Sequence, residues 1–128
     1  MIRKSFDSES APPPAGTYSV AMQAGHLVFL SGQTPRDRYN VRHGDKPFVI
    51  QAKMALDNLE AAANAAGSSL RDAVKVGVFL KDMENAQAFD EIYANYIGSP
   101  PPARTLVQSG FSIFDIEVDA ILALDGVR

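Results

Sequence analysis

The chain has 128 residues, 46% of them apolar and 21% charged, with a net charge of −3. That length suits one domain spanning 1–128 around one core, and the mildly acidic balance gives no footing for nucleic acid as a partner. Cysteine is absent, which excludes disulfides, cysteine-ligated zinc and a thiolate nucleophile.

The opening "MIRKSFDSES" (1–10) lacks the apolar segment of a secretory signal, and Asp7 and Glu9 interrupt the basic start that an organelle-targeting peptide would need. No stretch approaches the roughly 20 apolar residues of a membrane span. The expectation is a soluble, cytoplasmic protein with no membrane partner. "APPPAG" (11–16) is a stiff lead-in without helix potential. In "TYSVAMQ" (17–23), Tyr18, Val20 and Met22 alternate with Ser19, Ala21 and Gln23, the period of a strand. "LVFLSGQ" (27–33) reads as the second strand of a hairpin, apolar on both faces and therefore central.

"TPRDRYNVRHGDKPF" (34–48) is a polar loop carrying Arg36, Arg38, Arg42, His43 and Lys46. The interleaved Asp37 and Asp45 favour a solvated loop over an anion-recruiting patch. His26 and His43 show no metal-ligand spacing, so no metal is expected. Across 49–67, Ala52, Ala55, Leu56, Leu59, Ala62, Ala63 and Ala66 recur at helical spacing, and Gly67 supplies a C-terminal cap. "SSLRDA" offers a serine N-cap, with Asp72 three residues after Ser69, and predicts a short helical turn.

"VKVGVFL" (74–80) is a third strand with Val74, Val76, Val78 and Leu80 on one face. A second helix runs over 85–98 from an Asn85 cap, with Phe89, Ile92, Tyr93, Tyr96 and Ile97 on its core stripe. Gly98 and three prolines end it. "ARTLVQS" (103–109) and "FDIEVDAILAL" (114–124) complete five strands. Two helices cover only one face of such a sheet, so the other face calls for a partner, and another copy of the chain is the simplest one. The fold class is α+β.

Arg104 stands at the start of the fourth strand, alternating with Leu106 and Gln108. A guanidinium stays charged and is costly to bury unpaired, so it needs a carboxylate from the protein or from a ligand. Asp115, Glu117 and Asp119 fall at i, i+2 and i+4 of the last strand, which predicts one shared face. Two arrangements satisfy these residues. Arg104 pairs with one of the three acids across the sheet, or it holds an anionic substrate while a carboxylate handles a water molecule.

"SGQ" after an apolar strand, "AAGSSLRDAVKVGVFLKDM", "YANY", "PPARTLV" and "IEVDAILA" occur in that order. Together they resemble the reactive intermediate/imine deaminase family (RidA, also called YjgF) over nearly the whole chain. The resemblance implies a chorismate-mutase-like fold, with a mixed sheet of five or six strands and two helices on one face. It implies a homotrimer built around a barrel, with a small-carboxylate ligand at each subunit interface. The implied chemistry is hydrolysis of 2-imino acids and enamines to 2-keto acids and ammonia without a cofactor. By the same resemblance Arg104 binds the substrate carboxylate and Asp119 positions water, while Tyr18, Ser31 and Gly32 border the substrate.

The chain departs from the family pattern at several places. Asp119 stands where the family has Glu, Asp90 where many members have Asn, and Leu106 where some carry Cys. Thr17 and Val20 replace a usual Pro and Gln beside the expected cleft. Glu117 shares the face of Asp119, and Glu117 and Asp90 are further candidates for the site. Two alternatives keep the fold and change the activity: a 2-keto acid binding protein without turnover, or a pathway-specific paralogue. Older labels in the family name an endoribonuclease or translation inhibitor, against which the net charge of −3 speaks.

Overall fold

The computed structural model describes residues 2–124. Six strands form one mixed sheet: β1 (Arg3–Phe6), β2 (Ala21–Ala24), β3 (Leu27–Gln33), β4 (Ala73–Leu80), β5 (Ala103–Gln108) and β6 (Ile116–Ala123), in the spatial order β1-β2-β3-β6-β4-β5. β4 and β5 run parallel, and every other neighbouring pair is antiparallel. The helices α1 (Phe48–Ala65) and α2 (Ala86–Tyr93) pack on one face. No helix among the described residues is long and apolar enough to cross a membrane.

The core follows from strand alternation meeting small helical residues. Ile116, Val118, Ala120 and Leu122 of β6 are buried, as are Val76, Val78 and Leu80 of β4 and Val28 and Leu30 of β3. Against them α1 lays Ala52, Ala55, Leu56, Leu59, Ala62 and Ala63, all fully buried. Alanines at these positions let the helix axis approach the sheet closely, at no cost in helix propensity. A pair of turns fastens the exit of α1. The Glu60 carboxylate accepts from the Leu70 backbone N–H at 2.7 Å and from the Ser69 hydroxyl at 3.0 Å. Ser69 in turn accepts from the Arg71 N–H, capping the 3-10 turn Leu70–Asp72.

Four local readings change. Arg3–Phe6, to which the sequence assigns no strand, is an edge strand antiparallel to β2, where its charged residues suit an exposed edge. The strand expected over 17–23 is cut to Ala21–Ala24, because the Tyr18 N–H turns back to the Gly16 carbonyl at 3.0 Å. The register slips between Ala73 and Lys75, so Val74 leaves the face of Val76, Val78 and Leu80 and is exposed. α2 is shorter than 85–98. A 3-10 turn, Met83–Asn85, precedes it, and Asp82 supplies the cap by accepting from the Glu84 N–H at 2.9 Å. Asn85 itself has helical angles and makes no capping bond.

Candidate functional site

The face of the sheet turned away from the helices carries Leu27, Phe29, Lys75, Phe79, Thr105, Val107, Ile121 and two acids, Glu117 and Asp119. Nothing among the described residues covers it, and Phe29 is left 42% exposed. The acids lie two residues apart on β6, but they lean to opposite sides. Glu117 lies over Gly32 of β3, where a Cβ would fall 3.0 Å from its carboxyl carbon. Asp119 lies over Gly77 of β4, where any side chain would collide with its carboxylate. A glycine in a strand marks such a close approach, and here it steers each acid. Burial pushes the Glu117 carboxyl up from its usual range, the Asp119 charge adds to this, and Arg42 pulls it partly back. Burial also raises Asp119, against the opposing effects of a backbone bond from Gly77 and the charge of Lys75.

Glu117 leans into a cleft of about 480 Å³, whose walls include Tyr18, Ser31, Gly32, Arg36, Arg42 and Phe114. The Tyr18 hydroxyl accepts from the Ala15 N–H at 3.0 Å, and from Arg36 Nη2 at 3.4 Å. Ser31 donates to the Ser19 carbonyl at 2.6 Å, which leaves its oxygen free to accept. The loop 34–48 is exposed over most of its length, as expected, but its start is tied down. Asp37 pairs with His43 at 2.9 Å, an isolated antiparallel bridge joins Arg36 to Arg42, and Arg36 is only 6% exposed. Arg36 and Arg42 line the cleft although the sequence favours a solvated loop over 34–48, since a cation in a polar loop gives no sign of which side it takes.

Arg104 occupies a different place. It pairs with Val76 across the parallel β4–β5 ladder and so shares the helix-covered face, at the open edge of the sheet. Its Nη1 donates to Asp90 Oδ1 of α2 at 2.6 Å, and its guanidinium carbon sits 5.0 Å from the Tyr93 ring centroid. A second cleft, about 450 Å³, is lined here by Asp90, Tyr93, Ile97, Pro101, Pro102 and Arg104. The Tyr93 hydroxyl is buried without a hydrogen-bond partner, alone in this among the described side chains. Burial raises its pKa, and the Arg104 charge opposes the shift.

The expected constellation is therefore split within one chain. Tyr18, Ser31, Gly32 and Glu117 come together, and Arg104 joins Asp90, while Asp119 lies on the opposite face of the sheet from Arg104. The cross-sheet pairing of Arg104 with an acid of β6 does not occur, because alternation sends the two side chains to opposite faces. The row of three acids is also broken. Asp115 precedes β6, and its carboxylate accepts from Gln51 of α1 at 3.0 Å. Val20 is a core residue and does not line the cleft.

Comparison with known proteins agrees with this architecture. A family model described as Endoribonuclease L-PSP matches residues 8–124. A RutC family protein of Pyrococcus horikoshii is 40% identical over 116 residues, covering 89% of this chain and 92% of the relative. A 2-iminobutanoate/2-iminopropanoate deaminase of Dermatophagoides farinae is 36% identical over 100 residues, 76% of each chain. The crystal structure of RidA from the Antarctic bacterium Psychrobacter sp. PAMC 21119 superposes with a TM-score of 0.87 at 31% identity, covering 94% of this chain and 99% of the other.

Proposed function

Because this chain belongs to the Endoribonuclease L-PSP family, the RidA/YjgF family, we propose that it hydrolyses 2-imino acids and their enamine tautomers to 2-keto acids and ammonia. The observation that carries this reading is Arg104. Its guanidinium lies at a sheet edge beside an apolar cleft, and its partner is one solvent-exposed aspartate. A planar fork in that setting suits bidentate capture of a carboxylate arriving from solvent. The similarity to a named iminobutanoate deaminase supports the same chemistry.

The site in this reading is shared between copies in a homotrimer. One copy offers Arg104 from its edge strand β5. The neighbour offers Tyr18, Ser31, Gly32 and Glu117, which share one cleft, while Asp119 leans away from them over Gly77. Arg104 anchors the substrate carboxylate, and Ser31 with the backbone at Gly32 orients the imine. Glu117, the one acid in that cleft, takes the role expected of Asp119 and positions a water against the imine carbon. Water oxygen adds to that carbon, the C=N bond becomes C–N, and nitrogen leaves as ammonia while the carbonyl forms. The imine is already electrophilic, so holding water and substrate in register supplies most of the acceleration. The reaction balances without a cofactor.

The test is a coupled assay. An amino-acid oxidase generates 2-imino acids in place, and semicarbazide traps whatever survives. Wild type is expected to lower trapping, and Arg104→Ala to lose at least a hundredfold in rate (a loss on the order of that from ~1 Å misplacement), with its assembly state checked by sedimentation. Full activity in that variant removes Arg104 from the site. Trapping unchanged by wild type with every amino acid tried removes the deaminase reading.

A further inference from the structure

Arg36 is the one charged residue that is buried among the described residues. Its guanidinium donates to the Asn40 side-chain oxygen and to the Tyr18 hydroxyl, both neutral. No carboxylate among the described residues lies within ion-pair distance of it. A guanidinium does not shed its proton, and an unpaired buried charge is costly, so its counter-ion has to come from outside. The backbone that carries it is also held. Asn58 of α1 donates to the Arg36 carbonyl at 2.8 Å and to the Thr34 carbonyl at 3.0 Å.

Arg42 strengthens the case. The antiparallel bridge sets it directly opposite Arg36, and its guanidinium lies 5.5 Å from the Phe114 ring centroid on the wall of the same cleft. Like charges opposed across a bridge destabilise it unless an anion sits between them. Glu117 is the one acid on the cleft wall, so two cations face one carboxylate. The cleft retains a positive balance even with Glu117 ionised.

We propose that Arg36 and Arg42 form a second carboxylate site, and that the substrates are 2-imino acids with an acidic side chain. The α-carboxylate goes to Arg104 of one copy and the side-chain carboxylate to Arg36 and Arg42 of the next. This rests on the deaminase reading, and the two are tested separately. The reaction is the same hydrolysis, with no change at the distal carboxylate. A volume of about 480 Å³ has room for a five-carbon dicarboxylate with its water.

The experiment compares the imino acids formed in place from glutamate and from norvaline, a neutral amino acid of equal chain length, in the trapping assay. Calorimetry with glutarate and with pentanoate measures binding without turnover. Wild type is expected to favour the glutamate-derived imine by at least about tenfold in kcat/KM, and to bind glutarate more tightly than pentanoate. Arg36→Gln and Arg42→Gln each lower that ratio about tenfold, mainly through KM. Arg42 is exposed, so its variant decides the matter if Arg36→Gln does not fold. Hydrolysis of the neutral imine with no acidic preference, and equal binding of the two acids, overturns this proposal and leaves the deaminase reading standing. Glutarate binding that depends on Arg42, with neither imine turned over, overturns the deaminase reading and the acidic imino-acid substrate together, and leaves only the second carboxylate site.

Discussion

Glu117 and Asp119 illustrate how a residue's neighbour decides its role. Alternation along β6 is legible in the sequence, and it puts both acids on one face. The lean of each depends on Gly32 and Gly77, which lie on different strands and come together only through the strand order. Asp90 was equally hidden as a partner of Arg104, because it comes from α2. The raised pKa of Glu117 has a stability consequence. The folded state holds its proton above the pH at which the unfolded chain releases it, so stability falls as pH rises through that window. Glu117→Gln is therefore expected to unfold at a higher temperature than wild type at pH 7, with the gain shrinking as the pH falls into the ordinary carboxylate range. Thermal melts across pH 4 to 8, roughly the range between free carboxylates and neutrality, check this. An advantage that grows on acidification reverses the sign and refutes the argument.

At the scale of elements, what reads cleanly is what pattern alone decides. α1 stands within two residues of its expected span, because its small apolar residues repeat at helical spacing and Gly67 stops it with a positive φ of 77°. β3, β5 and β6 are similarly visible. β1 is not, because four residues with two charges have no periodicity to read, and pairing with β2 alone makes them a strand. The shortening of α2 also depends on tertiary context. The turn that follows α1 provides a test of how such contacts add up. Glu60→Ala leaves the Leu70 N–H and the Ser69 hydroxyl without their acceptor. It is expected to cost about 1–2 kcal/mol in urea unfolding, and a loss below a few tenths would mean that water replaces both bonds freely.

For the whole molecule, the sequence tells how many helices there are and that they can cover one side of the sheet. It does not tell which side each charged residue takes, since that follows from the order β1-β2-β3-β6-β4-β5. The order puts Arg104 on the helix side of an edge strand and the two acids on the other side, further in. If each reaction centre draws its guanidinium from one chain and its carboxylate from the next, the protein carries two separable halves of a catalyst. Two dead variants can then rescue each other. Arg104→Ala and Glu117→Gln, each inactive as a pure preparation, are expected to regain activity when unfolded together and refolded as a mixture. Random assembly of equal amounts in a closed ring rebuilds about one intact centre in four. Silence in the mixed preparation would overturn the shared centre.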